Sequence, residues 1–247
     1  MPKIAALRQD ARRPERYHLE LDDDRALTLD ESLVASERLA PGLTLDETAI
    51  TRLQTLEEER ALVDRAARYL ANRPRSRTEV RRRLLRVQPG KTPPTAAAIE
   101  RALERLDALG YLDDAVFASY WTEQRDRFSP RSARAIRQEL RQRGVDAETA
   151  GASATPDDDE ERAVAAGRKR LRALASADPR DFALRMGGFL QRRGFGYGVT
   201  RAAIRRLWEE AQAERGAGVD DALPVALAAL DDGESGPEAS REPDDSW

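Results

Sequence analysis

Residues 110–145 restrict the possible folds of this chain more than any other stretch of its sequence. Gly110 precedes two aspartates and an apolar, aromatic run, and Ser129-Pro130 precedes a second run that stops at Gly144. Glycine is favoured just after a helix, aspartate and serine cap helix starts, and proline suits the first turn. The stretch therefore predicts two consecutive helices joined by short turns, which is typical of an all-α protein.

The same pattern of helix starts and stops recurs along the chain. A proline followed by two apolar residues at helical spacing occurs twice at an offset of 56, as Pro74, Val80 and Leu84 and as Pro130, Ile136 and Leu140. Residues 140–145 match residues 190–195 at an offset of 50. This recurrence predicts tandem three-helix units that stack into a curved array. The alternative is that such patterns recur by chance in all-α proteins, because the repeats share few identities.

The N-terminal part of the chain departs from the helical pattern. Apolar residues alternate with polar ones on both sides of an acidic turn at residues 22–24, namely at Tyr17, Leu19, Leu21, Leu27 and Leu29. This alternation predicts a β-hairpin. An isolated hairpin is marginally stable in water, so we expect it to pack on helices.

These patterns predict an all-α fold of tandem three-helix repeats in a curved array, with a small N-terminal β-hairpin extension. The expected segments are disordered residues 1–14, an extension with the hairpin and a short helix over 15–58, three-helix units over 59–112, 113–160 and 161–215, and an acidic disordered tail over 216–247. Residues 146–161 are poor in apolar side chains, so we expect a frayed short helix followed by a linker there.

Composition argues against several classes of function. The chain has no cysteine, and His18 is its one histidine, so thiolate metal sites, disulfides and a Ser-His triad are not expected. No carboxylate pair has an evident acid–base role, and we therefore expect neither an enzyme nor a cofactor. We also expect a cytoplasmic protein without membrane contact, because no apolar run could span a bilayer and no signal-peptide pattern is present.

Charge is sorted along the sequence. Residues 1–60 hold 9 basic and 14 acidic residues, residues 61–215 hold 32 and 22, and residues 216–247 hold 1 and 9. Arginine outnumbers lysine 39 to 3, which base composition alone could produce, but base composition would not separate the two signs. The basic middle of the chain therefore predicts a surface that attracts phosphate or an acidic protein.

Arginine stripes are the candidate binding residues. Arg134, Arg137 and Arg141 fall on one helical face, opposite the apolar residues of the same run. Comparable clusters in the first and third units complete the predicted set with Arg75, Arg82, Arg86, Arg168, Lys169, Arg172, Arg192 and Arg193. Guanidinium groups pair with phosphates and carboxylates in a planar fork. The alternative for each residue is a solvated helix face with local ion pairs.

A second group of residues is predicted to join the first unit to the second. Tyr111, Leu112 and Phe117 are expected in the core between the units, and Asp113 and Asp114 are expected to cap the helix that follows.

The chain resembles the RecX family over roughly residues 60–210. The motifs that carry the resemblance are Gly110-Tyr-Leu-Asp-Asp114, Phe117-Ala118, Arg125, Ile136, Glu139-Leu140, Arg143-Gly-Val145 and Phe189-Leu-Gln-Arg-Arg-Gly-Phe-Gly-Tyr197. Ser129 departs from the pattern, since many members have glycine before the proline. Residues 146–155 also depart from it, because their helix pattern is weak where the family usually has a well-formed third helix. This departure puts the packing between the second and third units in question.

The resemblance implies a regulator rather than an enzyme. Members of the family bind the RecA recombinase filament on single-stranded DNA, lie along its groove and restrain its activity. We accordingly expect a monomer with two kinds of partner, the RecA filament and DNA, single-stranded first and double-stranded as a further candidate. The role implied is restraint of strand exchange, ATP turnover and filament growth in DNA repair and the SOS response.

Two other functions remain open from the sequence. One is a sequence-indifferent DNA-binding helical protein without a recombinase partner, which should bind bare DNA with a steep salt dependence. The other is a structural helical adaptor, for which the arginine stripes would be dispensable.

Overall fold

The computed structural model describes residues 1–87, 92–174 and 176–215, together with Leu223 and Leu227. The predicted acidic tail over 216–247 therefore lies outside the described residues, apart from these two leucines. The chain divides into two compact units, Met1–Phe117 and Ala118–Trp247, and the boundary falls inside a helix.

The first unit begins with a three-stranded antiparallel sheet. Its strands are β1 (Ile4–Gln9), β2 (Arg16–Leu21) and β3 (Ala26–Asp30), in the order β1-β2-β3. The β2–β3 hairpin pairs Leu19 with Leu27, which confirms the predicted hairpin. One apolar side of the sheet packs against α1 (Glu31–Ser36) and the residues that follow it.

The prediction of disorder over residues 1–14 is wrong for β1. Ile4 is buried, its N–H donates to the Leu43 carbonyl at 2.9 Å, and its carbonyl accepts from Gly42 N–H at 2.8 Å. Leu45 N–H donates likewise to the Pro2 carbonyl. The first residues therefore pair with a loop about forty residues away as well as with β2, and the local sequence pattern did not show the loop contacts.

Three helices complete the first unit. They are α2 (Glu47–Leu70), α3 (Arg77–Leu85) and α4 (Ala96–Ala108), and each starts after a side chain that caps its free N–H groups, namely Asp46, Ser76 and Thr95. Val80, Leu84 and Leu103 are fully buried among them. The predicted boundary between residues 58 and 59 lies inside α2, so the extension and the first three-helix unit share this helix.

Two groups of helices follow. The first group, which we call the second module, is α5 (Asp114–Phe128), α6 (Ala133–Gln142) and α7 (Ala147–Ser153). The second group, the third module, is α8 (Asp159–Leu171), α9 (Pro179–Arg192) and α10 (Tyr197–Arg215). The predicted all-α fold with a small N-terminal β element is thus confirmed, with one strand more than expected.

The structure has a short helix after residue 145, as predicted, but that helix is not frayed. The Asp146 carboxylate accepts from Thr149 N–H at 2.8 Å, which caps α7 and holds the pKa of Asp146 below its usual value. At the other end of α7, the Ser153 hydroxyl lies 2.9 Å from that of Thr122 on α5. Ala150 is buried between these ends. A helix of small residues buries little area per residue, which made it look weak in sequence.

The predicted repeat is visible in two identical helix ends. Val145 N–H donates to the Leu140 carbonyl at 3.1 Å, and Gly144 N–H donates to the Arg141 carbonyl at 2.9 Å. The same two bonds occur fifty residues later, from Phe195 and from Gly194, which has φ +89° beside +88° for Gly144. Both helices therefore end in a Schellman turn that requires glycine.

Candidate functional site

A basic groove lies between α6 and α7 in the second module. It has a volume of about 430 Å³. Its walls, which define what we call the α6–α7 groove, are Ala133, Arg134, Arg137, Arg141, Ala147, Ala150, Gly151, Pro156 and Asp159. The three arginines predicted as one stripe thus line a single concave surface, while Ile136 and Leu140 on the other face of α6 are fully buried.

Small residues keep the groove open. The α7 side contributes Ala147, Ala150 and Gly151, none of which carries a side chain beyond Cβ. A Cβ added at Gly151 would meet no heavy atom within 4 Å. The arginine side chains therefore face a wall that neither fills the groove nor neutralises their charge.

Two of the three arginines are available to a ligand. The side chains of Arg134 and Arg141 are exposed, and neither forms an ion pair or hydrogen bond with any residue that the structure describes. Arg137 differs from the expectation of an exposed stripe, because it is half-buried and its Nε donates to the Ala154 carbonyl at 2.8 Å. Arg137 thus fastens the end of α7 to α6.

Asp159 is the acidic residue of the groove wall, and its carboxylate already has partners within the protein. Its Oδ1 accepts from Ala133 N–H at 2.7 Å, at the start of α6, and lies 3.5 Å from Nη1 of Arg162. Burial raises the pKa of Asp159 above its usual value, and these two contacts oppose that rise. The groove therefore keeps a positive balance.

In the first unit, one of the three predicted arginines, Arg75, has a partner within the fold. The Arg75 guanidinium lies 4.2 Å from the centre of the Tyr69 ring, a cation–π contact. Arg82 and Arg86 have exposed side chains without a partner in the described part of the unit. They remain as free cations at the end of α3.

In the third module, three of the five predicted residues have internal partners. Arg168 forms a two-pronged ion pair with Glu210, at 2.9 and 2.6 Å, which raises the pKa of Arg168. Lys169 Nζ donates to the Phe128 carbonyl at 2.7 Å, and Arg193 Nη1 donates to the Pro130 carbonyl at 3.0 Å. The remaining two, Arg172 and Arg192, are exposed and have no side-chain partner among the described residues.

The residues predicted to join the first two units divide between core, cap and surface. Leu112 and Phe117 are buried, as expected. Asp113 caps α5 by accepting from Ala115 and Val116 N–H, and Asp114 accepts from Arg77 N–H at 2.9 Å, at the start of α3.

The expectation of a buried Tyr111 is wrong. Its side chain is 58% exposed, although Tyr111 follows the turn residue Gly110 just as the buried Val145 follows Gly144. Tyr111 instead lines an open groove that also contains Arg73, Arg75 and Val116. The same helix-ending turn therefore allows either a buried or an exposed side chain at the position after the glycine.

The sequence pattern missed a buried arginine network between the second and third modules. The Arg162 side chain is 6% exposed, and its Nε donates to Asp126 at 2.8 Å. Its Nη1 donates to the Thr155 carbonyl at 2.8 Å, and Nη2 lies 3.4 Å from Asp158. The three consecutive aspartates at 157–159 were a signal, because buried arginine needs several acidic or carbonyl partners.

Other site types find no support in the part of the chain that the structure describes. Over residues 1–87, 92–174 and 176–215, no cluster of three histidine or acidic side chains is arranged to hold a metal ion. Over the same ranges, no helix is both long and apolar enough to cross a membrane.

Comparisons with known proteins agree on one family. Residues 113–152 match the family model described as RecX, second three-helix domain, and residues 157–204 match RecX, third three-helix domain. Regulatory protein RecX of Bacillus subtilis strain 168 is 28% identical over 210 residues, which cover 84% of this chain and 78% of that protein. Regulatory protein RecX of Thermobifida fusca strain YX is 37% identical over 119 residues, which cover 47% and 63%.

A solved structure supports the fold. A crystal structure of regulatory protein RecX superposes with a TM-score of 0.63 at 24% identity, covering 81% of this chain and 97% of that one. At that identity the likeness concerns the architecture of the chain.

Proposed function

Because this chain belongs to the RecX family of regulatory proteins, we propose that it binds the RecA–single-stranded DNA filament and restrains the recombinase. The restrained activities would be strand exchange, ATP turnover and filament growth, in DNA repair and the SOS response. The protein would act as a monomer in the cytoplasm, where a DNA-bound filament would form.

The observation that carries this proposal is the pair of guanidinium groups in the α6–α7 groove, which have no partner within the described parts of the chain. Arg134 and Arg141 are seven residues apart on α6, which places them about 10 Å apart along the helix axis. Both phosphates and carboxylates accept the guanidinium fork. A filament offers both, as DNA backbone and as acidic side chains of the recombinase.

The other free cations would add further weak contacts. Arg82 and Arg86 lie in the first unit, and Arg172 and Arg192 lie in the third module. Each ion pair that one of these exposed arginines forms with a partner would contribute little binding free energy alone. Several such contacts on one chain raise the overall affinity, because each later contact forms at a high effective concentration.

The direct test is inhibition of a RecA–single-stranded DNA filament by the full chain. We expect it to slow ATP hydrolysis and strand exchange, and we expect Arg134→Glu with Arg141→Glu to raise the half-inhibitory concentration at least tenfold. The matched control is Arg12→Glu with Arg13→Glu, which changes the charge equally at two exposed arginines of the first unit. No effect of the unmodified chain at saturation would refute the proposal.

A second candidate function is sequence-indifferent DNA binding without a recombinase partner. The free arginines favour it equally, since phosphates alone would satisfy them. Affinities for bare and RecA-coated single-stranded DNA separate the two functions. A filament regulator should bind the coated strand at least tenfold more tightly at the same salt concentration, whereas a general DNA-binding protein should prefer the bare strand.

A further inference from the structure

We propose that the α6–α7 groove also binds the acidic C-terminal segment of this same chain, residues 231–247. The segment would occupy the positions that a polyanionic partner needs, and so would weaken binding until the partner displaces it. The competition rests on the proposed function, whereas the docking itself does not.

The charges of the groove and of the segment are complementary. Residues 231–247 hold seven acidic residues and one basic residue, with acidic pairs at Asp231-Asp232 and Asp244-Asp245. The groove offers Arg134 and Arg141 without any partner among the described residues. Carboxylates accept the guanidinium fork as well as phosphates do. An acidic peptide is therefore a suitable occupant.

The segment starts close enough to reach the groove. Leu223 and Leu227 are 4% and 1% exposed and belong to the hydrophobic core of the third module, in the same compact unit as the groove. The seventeen residues from Leu227 to Asp244 could span about 55 Å when extended. A domain of 100 residues has a radius of gyration of about 13 Å, so this length suffices.

The groove is a better docking site than the arginine-rich third module. Arg168, Lys169 and Arg193 already donate to internal partners, so an acidic segment would have to break those contacts. The groove walls are small on the α7 side, and the segment is rich in small residues between its acidic pairs, including Gly233, Ser235 and Gly236. An extended backbone of this kind can enter without a bulky side chain to place.

Tethering favours this occupant over free anions. A covalent tether raises the effective concentration of the segment at the groove into the millimolar range, so a weak electrostatic contact would be substantially populated. A DNA strand with many phosphates releases counterions and gains from each contact, so it can still displace the segment. The segment would thereby raise the salt sensitivity and the selectivity of binding.

Disulfide trapping in the full chain tests the docking without any recombinase or DNA. The chain has no cysteine, so an introduced pair reports one contact. Gly151→Cys places a thiol on the groove wall, where a Cβ has open space, and Ser240→Cys places one within the segment. The control pair is Ala213→Cys with Ser240→Cys, because Ala213 is exposed on α10 of the same unit and closer in sequence.

We expect the groove pair to oxidise at least fivefold faster than the control pair. High salt, or Arg134→Glu with Arg141→Glu, should remove this preference, because both weaken the electrostatic attraction. Equal rates for the two pairs, unaffected by salt, would overturn the docking. Disulfide-linked dimers in place of intramolecular products would overturn the assignment to the same chain.

A second measurement tests the competition. Full-length protein with Asp231, Asp232, Asp244 and Asp245 each changed to Asn should bind single-stranded DNA about tenfold more tightly, with a smaller gain at high salt. Unchanged affinity together with retained trapping would overturn the competition while leaving the docking intact. A chain that fails to bind filament or DNA at all would sink the proposed function, and the trapping result would still stand.

Discussion

The second and third modules are both rich in arginine, yet they differ in how many of the predicted binding residues have a partner within the protein: one of three in the second module and three of five in the third. In the second, Arg134 and Arg141 line a concave groove and have no partner among the residues that the structure describes. In the third, Arg168, Lys169 and Arg193 each satisfy a carboxylate or a backbone carbonyl of the protein itself. A count of positive charges therefore does not identify a binding surface. What identifies one is the absence of acceptors nearby.

The difference arises from the helix that each arginine faces. Arg168 on α8 faces α10, which supplies Glu210 at hydrogen-bonding distance. The arginines of α6 face α7, whose residues are mostly alanine, glycine, serine and threonine. Its one acidic residue, Glu148, is exposed and is not among the groove walls. Acceptors on the neighbouring helix thus decide whether an arginine stabilises the fold or remains available.

Removing an engaged arginine and a free one by the same substitution should have very different effects on stability. Arg162→Met should lower the free energy of unfolding by about 3 kcal/mol, because it leaves the buried Asp159 without its cation. Arg141→Met, in the groove, should change it by less than about 0.5 kcal/mol. Urea unfolding of both variants measures this, and equal losses would contradict the distinction.

The next largest expected effect on stability comes from the close packing of the third module against the second. Gly194 has φ +89°, and an added Cβ would lie 2.7 Å from Oγ of the buried Ser132, which caps α6. Gly194→Ala should therefore cost about 2–3 kcal/mol, from the left-handed backbone and the displaced cap. Gly110→Ala meets no atom within 4 Å and should cost only about 1 kcal/mol. Thermal unfolding of the two variants gives the comparison, and similar losses would mean that the Ser132 contact is unimportant.

Single charges in the two modules should also differ in their effect on binding. Arg141→Gln should weaken binding to single-stranded DNA or to the filament by about 1 kcal/mol and lower the salt slope by about one. Arg168→Gln with Glu210→Gln removes a paired cation and its anion, and should leave both quantities unchanged. Titrations at several salt concentrations measure this. Equal weakening by the two changes would show that Arg168 leaves Glu210 to bind the partner.

The smallest expected effect is a difference in pH dependence. The pKa of Asp159 is raised by burial, so the native state holds its proton more tightly than the unfolded chain does. Its contribution to stability is complete below the unfolded pKa and is lost as pH rises through the folded pKa. Glu210 has a lowered pKa because Arg168 donates to it, so its contribution is lost as pH falls instead.

Denaturation at a series of pH values checks this opposition. Relative to Asp159→Asn, the unmodified chain should lose stability as the pH is raised from about 3 to 7. Relative to Glu210→Gln, it should gain stability over the same range. Slopes of the same sign in both comparisons would contradict the assignment.

The sequence allowed the helices and their ends to be predicted because those features depend on local residues. Gly144 and Gly194 stop helices for a steric reason that is readable one residue at a time. Strand β1 was not predicted, although it pairs with the nearby β2, and its further bonds to the loop at residues 42–43 depend on how the chain folds back. In the network around Arg162, the bond to Asp126 joins residues 36 positions apart, which no local pattern shows. The α6 stripe was placed correctly on one face, but the bond from Arg137 to Ala154 depends on where α7 packs.

The joint between the second and third modules has a consequence for how this protein can evolve. The Lys169 side chain donates to the carbonyl of Phe128, and the Arg193 side chain donates to that of Pro130. Ser132 N–H in turn donates to the carbonyl of Arg193. A backbone carbonyl is present whatever side chain its residue carries. The acceptors at positions 128 and 130 therefore do not depend on the side chains there, whereas the donors at positions 169 and 193 are the side chains themselves. A change of side chain at the exposed position 128 would therefore keep the bond from Lys169 that links the two modules.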